Sequence, residues 1–131
     1  MTRTEVETDV RETLGLVPEF IAELPDYLIE SEWMSFKALE LGETAVPNKY
    51  KELIGLGVSA ATRCRYCTYF HTEAARLFGA TEEEIQEASL MAKHTMAWST
   101  YLNGRQLDYD RFKEEFDNIA AFVRDQEHVL A

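Results

Sequence analysis

Residues 62–71 read TRCRYCTYFH and contain both cysteines of the chain, Cys64 and Cys67, followed four positions later by His71. On a helix these three residues occupy positions i, i+3 and i+7, so their side chains project from one face within two turns. Glu52 lies twelve residues before Cys64, and no charged residue separates it from Arg63. The pattern predicts a compact site of two thiols and an imidazole, with Glu52 as a carboxylate that needs a partner.

Apolar residues recur with helical spacing along the chain, and no stretch is typical of a β-strand. Val6, Val10 and Leu14 predict an amphipathic helix that ends at Gly15, and Thr81 with Glu84 fits a capping box. The predicted helices cover about residues 4–14, 18–24, 25–42, 48–61, 64–78, 81–104 and 108–129. We therefore expect an all-α fold.

The length of 131 residues fits a single domain over residues 1–131. Within it we expect a helical arm at about 1–42, a dithiol-bearing core at about 46–102 and a C-terminal helix at about 108–129. That last helix is amphipathic, and the side predicted to be buried carries Phe112, Phe116, Ile119, Phe122 and Val123.

The composition argues against several classes of partner. A formal net charge of -11 repels phosphate backbones, so we expect neither nucleic acid nor an anionic membrane as a ligand. The sequence has no apolar run of membrane-spanning length and a polar N-terminus, which predicts a cytoplasmic protein. Two cysteines three positions apart leave a redox dithiol, part of a metal site, or two ordinary buried thiols.

The residues around the two cysteines favour the redox interpretation. Thiolate is the nucleophilic form of cysteine, and a helix N-terminus favours a thiolate at Cys64. His71 lies one turn beyond Cys67 and can accept a proton, and Glu52 can orient that imidazole. A second thiol beside the first can convert a sulfenic acid to a disulfide.

These residues resemble the carboxymuconolactone decarboxylase-like superfamily and, within it, the alkylhydroperoxidase D branch. The match consists of Glu52, the Cys64-x-x-Cys67-x-x-x-His71 motif and the segment 74–85, AARLFGATEEEI. The resemblance implies an all-helical protein that assembles into trimers or hexamers and reduces hydroperoxides with its thiols. It also implies that a dithiol reductant, such as a lipoyl-bearing protein, restores the thiols.

Carried over by position, the resemblance makes Cys67 the thiol that attacks the peroxide, Cys64 the resolving thiol, and Glu52 with His71 the proton relay. The residues alone leave the order of the sulfurs open, because the helix N-terminus favours Cys64 and the proximity of His71 favours Cys67. One position departs from the family: Tyr66 stands where the best-known peroxidase has a histidine. Decarboxylase members of the superfamily lack the dithiol, which argues against lactone decarboxylation.

We therefore predict an enzyme, a thiol-dependent peroxidase that needs no cofactor and no metal. The alternative is a non-enzymatic redox sensor or a metal-binding protein on the same scaffold. In the metal alternative, the two thiolates and His71 bind zinc with Glu52 or His94 as the fourth ligand. Structural zinc sites usually draw on two pairs of ligands, and this sequence contains only one such pair.

Overall fold

The computed structural model describes residues 1–126, and within that range it contains helices and no strands. The elements follow in the order α1 (Arg3–Leu14), α2 (Glu19–Ala22), α3 (Asp26–Phe36), a π-helical turn (Lys37–Leu41), α4 (Asn48–Ala61), α5 (Arg65–Leu77), α6 (Glu82–Gly104) and α7 (Tyr109–Asp125). The predicted all-α fold class is confirmed. The predicted extension of the last helix to residue 129 lies outside the described residues.

Local sequence signals set several of the helix ends. Thr2 and Glu5 form a capping box at the start of α1, and Gly15 ends that helix in the left-handed conformation at φ 84°. At the start of α6 the backbone N–H of Glu84 donates to Thr81 Oγ1 over 3.0 Å, and the N–H of Thr81 donates to Glu84 Oε1 over 2.9 Å. Both capping boxes satisfy backbone donors that a helix start leaves without partners.

The chain divides into two compact units, Met1–Ala92 and the residues from Lys93 onward. Cys64, Cys67, His71 and Glu52 all belong to the first unit. The single domain over residues 1–131 stays a prediction. No helix in the described part of the chain is long and apolar enough to cross a membrane.

One hydrophobic cluster of the first unit joins the three N-terminal helices. Its buried side chains are Val6 and Val10 of α1, Ile21 of α2, and Ile29 and Trp33 of α3. Burying an aliphatic side chain of this size contributes about 1.5–3 kcal/mol. The predicted N-terminal arm is therefore packed around a core of its own.

The Trp33 indole also connects α1 to α3 by a polar contact. Its N–H donates to Asp9 Oδ2 over 2.7 Å, and Lys37 Nζ forms an ion pair with the same carboxylate at 2.9 Å. These donors hold the pKa of Asp9 below its usual range, the indole N–H contributing most. A buried indole N–H thus has its partner, as a buried polar group requires.

A second cluster holds the dithiol-bearing helix in place. It consists of Leu56 on α4, Ala75 on α5 and Ile85 on α6, and Leu53, Ala80 and Ala88 pack against it. Since α4 and α5 are joined by a short turn and share this core, Glu52 on α4 and the residues of α5 are brought onto facing surfaces.

The last turn of the third helical segment is wound as a π-helix. The N–H of Gly42 donates to the carbonyl of Lys37, five residues earlier, over 2.9 Å. Lys51 of α4 stabilises this turn, because its ammonium group donates to the carbonyls of Leu39 and Gly42 and to Thr44 Oγ1. Single π-helical turns often occur at functional sites.

The prediction of a buried side on α7 is wrong for the single chain. None of the residues of this helix is buried, and Phe112, Phe116, Ile119 and Phe122 are 45%, 58%, 56% and 63% exposed. Helical spacing identifies the apolar face of a helix, but it carries no information about what covers that face.

Candidate functional site

The two cysteines lie at the start of α5, in contact with each other. Cys64 is the N-cap residue, and its sulfur accepts a hydrogen bond from the backbone N–H of Cys67 over 3.3 Å. The sulfur of Cys67 lies 3.0 Å from that of Cys64, within hydrogen-bonding distance. Both cysteines are free thiols, and Cys67 is the more exposed. The dithiol is therefore accessible and close enough to form a disulfide after a small rotation of the side chains.

The hydrogen bonds shift the pKa values of the two thiols in opposite directions. The thiol and the backbone N–H of Cys67 hold the pKa of Cys64 below its usual range, because both stabilise its thiolate. The pKa of Cys67 is raised, chiefly because its S–H donates to Cys64, with burial and the charge of Cys64 adding to the effect. Of the two thiols, Cys64 is therefore the more acidic.

The structure brings Glu52 and His71 together. Oε2 of Glu52 lies 2.7 Å from Nδ1 of His71, and the side chains are 2% and 18% exposed. An unpaired carboxylate this deeply buried would be strongly destabilising, and the imidazole supplies its partner. Phe70 packs against the imidazole edge to face, with ring centroids 5.1 Å apart. The carboxylate fixes the orientation of the ring as well as the position of its proton.

Gly55 makes room for this imidazole on α4. A Cβ atom at position 55 would lie 2.5 Å from Cε1 and Nδ1 of His71 and 2.6 Å from Nε2. No ordinary contact is this short, so the ring and a side chain at position 55 cannot occupy the same space. The sequence indicates that small residues on α4 permit a close approach, and the structure identifies His71 as the group that approaches Gly55.

Sequence reasoning missed Glu40, which lies beside this pair. Glu40 belongs to the π-helical turn and is half-buried, and the potential ligand atoms of Glu40, Glu52 and His71 all lie within 4.8 Å of one another. Burial raises the pKa of Glu40, and the negative charge of Glu52 raises it further. Its sequence position gave no signal, because acidic residues are frequent throughout this chain.

Glu40, Glu52 and His71 are also the side chains best placed to hold a metal ion. Two carboxylates and an imidazole are suitable ligands, although Glu52 and His71 are already hydrogen-bonded to each other. Over residues 1–126, neither cysteine joins a group of this kind. The zinc site considered from the sequence, with both thiolates as ligands, is therefore not the arrangement that the structure forms.

Cys67 and His71 open onto a common groove with a volume of about 710 Å³. Its walls are largely aromatic, and Phe36 contacts Phe70 with ring centroids 5.9 Å apart. The lining residues are Phe20, Phe36, Glu40, Arg65, Tyr66, Cys67, Tyr69, Phe70 and His71. Cys64 instead lines a second groove of about 550 Å³ that also contains Arg63 and Arg65. The apolar groove can hold an organic molecule against the thiol of Cys67.

Comparison with known proteins gives the family. Residues 29–107, more than half of the chain, match the model of the carboxymuconolactone decarboxylase family, and the chain belongs to this family. The match extends over the π-helical turn, Glu52, both cysteines and His71. The resemblance inferred from the sequence is confirmed.

Two individual proteins are similar to this chain. The crystal structure of the alkylhydroperoxidase AhpD core from Rhodospirillum rubrum superimposes with a TM-score of 0.72 at 28% identity and covers 82% of each chain. The uncharacterized protein 4 in the cox locus of Paracoccus denitrificans is 28% identical over 78 residues, which cover 60% of this chain and 70% of that protein. The fold is thus that of the alkylhydroperoxidase core.

Proposed function

We propose that this protein is a thiol-dependent peroxidase that reduces organic hydroperoxides with the Cys64–Cys67 dithiol. The observation that carries the proposal is the position of Cys67. Its thiol contacts Cys64 and opens onto an aromatic groove that also contains His71, whose imidazole is hydrogen-bonded to Glu52. Membership of the family and the likeness to an alkylhydroperoxidase core support the same reaction class.

The contact between the sulfurs supports Cys67 as the attacking group although Cys64 is the more acidic thiol. The proton of Cys67 can pass to the thiolate of Cys64 across 3.0 Å, which leaves a thiolate at Cys67 facing the groove. That thiolate attacks the outer oxygen of the hydroperoxide, the O–O bond breaks, and Cys67 becomes a sulfenic acid. The alkoxide takes up a proton and leaves as the alcohol.

Cys64 then acts as the resolving thiol. Its sulfur attacks the sulfenic sulfur of Cys67, the S–S bond forms, and hydroxide leaves as water with the proton that Cys64 had held. Two thiols and one hydroperoxide thus yield one disulfide, one alcohol and one water. An external dithiol, such as a dihydrolipoyl group, reduces the disulfide and completes the cycle. The Glu52–His71 pair serves as the proton relay of the site.

The groove favours hydroperoxides with a bulky apolar substituent. Phe20, Phe36 and Phe70 offer apolar surface next to the reacting sulfur, and burying such surface contributes about 25 cal/mol per Å². We infer that the chain also forms a homo-oligomer, a trimer or hexamer. The exposed aromatic residues of α7 support this, because large exposed apolar surfaces commonly mark protein contacts.

The test is steady-state consumption of cumene hydroperoxide by the pre-reduced protein, with dihydrolipoamide as the reductant. We expect Cys67→Ser to abolish turnover, and His71→Ala to lower it by about 100-fold or more, the size of a general acid–base contribution. His94→Ala is the matched control, because His94 is an exposed histidine of α6 outside the groove. Cys64→Ser should leave a sulfenic acid at Cys67 that dimedone traps.

Other outcomes would contradict the proposal. A disulfide that forms once, with no turnover on addition of dithiol, would favour a redox sensor. Full dithiol-driven turnover in Cys64→Ser would overturn the resolving role of Cys64. Resistance of both thiols to the hydroperoxide would exclude the peroxidase.

A further inference from the structure

Glu40 is an acid in the proposed reaction groove to which the mechanism above gives no role. It lines the same groove as Cys67 and His71 and lies within 4.8 Å of the Glu52–His71 pair, measured between potential ligand atoms. The neighbouring cation of α4, Lys51, is engaged with two backbone carbonyls and the Thr44 hydroxyl. Lys51 is thus occupied by other acceptors, and Glu40 lines the same groove wall as Cys67 and His71.

The surroundings of Glu40 favour its protonated form. Burial and the charge of Glu52 raise the pKa of Glu40, against smaller opposite effects of His71 and Lys51. Two carboxyl groups that share a site rarely both ionise, and Glu52 is the one stabilised by the imidazole. Glu52 is thus the partner of the histidine, and Glu40 is a second carboxyl group nearby whose pKa is raised.

We propose that Glu40 is the general acid that protonates the leaving oxygen when Cys67 cleaves the hydroperoxide. This inference rests on the peroxidase function proposed above. An alkoxide is a strong base and a poor leaving group, so O–O cleavage accelerates when a proton is transferred to the leaving oxygen in the transition state. Glu40 and Cys67 line the same groove, so a hydroperoxide bound there has a donor for its inner oxygen and a nucleophile for its outer oxygen.

The protons balance over the cycle. In the first step the thiolate of Cys67, the hydroperoxide and the carboxyl group of Glu40 give a sulfenic acid, an alcohol and a Glu40 carboxylate. Disulfide formation releases water and leaves Glu40 ionised. The external dithiol then supplies two protons as it is oxidised, one to the thiol of Cys67 and one to Glu40, while Cys64 returns as the thiolate.

The two carboxyl groups therefore have different roles. Glu52 is buried and bonded to Nδ1 of His71, so it acts through the imidazole as a positioning residue. Glu40 contacts the leaving oxygen directly and is a catalytic residue. The π-helical turn makes these separate roles possible, because it places Glu40 at the groove from a helix that does not carry the dithiol.

The experiment compares two oxidants that differ in their need for a proton. Cumene hydroperoxide releases an alkoxide, whereas peroxybenzoic acid releases a carboxylate that leaves without protonation. Stopped-flow oxidation of the pre-reduced full chain is measured for wild type, Glu40→Gln and Glu43→Gln. Glu43 is the matched control, an exposed glutamate just beyond the π-helical turn.

We expect Glu40→Gln to slow oxidation by cumene hydroperoxide by on the order of 100-fold, the size of a general-acid contribution. Oxidation by peroxybenzoic acid should remain close to the wild-type rate, which also verifies that the variant is folded and that Cys67 is reactive. Glu43→Gln should match wild type with both oxidants.

Several results would overturn the assignment. An equal loss with both oxidants, or no loss with either, would exclude Glu40 as the proton donor while leaving the peroxidase proposal intact. A comparable loss in Glu43→Gln would attribute the effect to the charge of the chain in general. If wild type reacted with neither oxidant, the peroxidase function itself would fail, and the role of Glu40 with it.

Discussion

Replacing Gly55 with alanine should disconnect His71 from Glu52 without touching either residue. The added Cβ would lie 2.5 Å from Nδ1 of His71, the atom that bonds Glu52 at 2.7 Å. Ordinary carbon contacts lie near 3.5–4.0 Å, so the ring must retreat by about 1 Å or more. The Phe70 ring packs edge to face against the imidazole and restricts where the ring can move. The carboxylate of Glu52 then remains buried without its partner.

Two opposing contributions decide the stability of Gly55→Ala. Alanine is favoured over glycine within a helix by about 1 kcal/mol. Losing a hydrogen bond to a buried charged group costs about 1.5–3 kcal/mol. We therefore expect a net destabilisation of about 0.5–2 kcal/mol. Peroxidase turnover should fall by about 100-fold, because the imidazole loses its orientation.

Gly57→Ala provides the matched control on the same helix. Its added Cβ would meet only the carbonyl oxygen of Ala88, at an ordinary 3.9 Å. Urea unfolding should therefore show Gly57→Ala to be more stable than wild type by up to about 1 kcal/mol, with unchanged turnover. The reasoning is refuted if Gly55→Ala is as stable and as active as Gly57→Ala.

Two further predictions concern the groups that surround the dithiol and Glu40. Cys67→Ala removes the thiol that stabilises the Cys64 thiolate, so the pKa of Cys64 should rise and its ultraviolet thiolate absorbance should appear at higher pH. Cys67→Ser retains a hydroxyl donor and should shift the pKa less, whereas identical titrations of both variants would contradict this account. Lys51→Met removes two hydrogen bonds that hold the π-helical turn and its cap and a third to Thr44 Oγ1, so unfolding in urea should show a loss of about 1–3 kcal/mol. Lys49→Met, which removes one ion pair and a cation–π contact with Tyr50, should cost less, and the prediction fails if the two losses are equal.

The helices could be predicted from the sequence where their ends carry local signals. Gly15 ends α1 in a left-handed conformation, and Thr81 and Glu84 form reciprocal hydrogen bonds at the start of α6. Both features involve residues close together in sequence, so a local sequence pattern is enough to predict them. The dithiol is equally local, since Cys64 caps the helix that carries Cys67. The apolar face of α7 shows the opposite case, because what covers such a face is never encoded within the helix itself.

Glu40 could not be found because its position depends on a change of helical winding. The pattern of residues 25–42 predicts one continuous helix, and α-helical spacing assigns each residue to a face. The π-helical turn replaces a four-residue hydrogen bond with the five-residue bond from Gly42 to Lys37, so the assignment of faces changes within this turn. Lys51 stabilises the turn from a different helix, eleven residues beyond Glu40 in sequence. A sequence pattern can thus identify a proton relay such as Glu52 and His71, whose residue types and spacing fit a known motif. It cannot identify an acid whose approach to that relay is created by a tertiary contact.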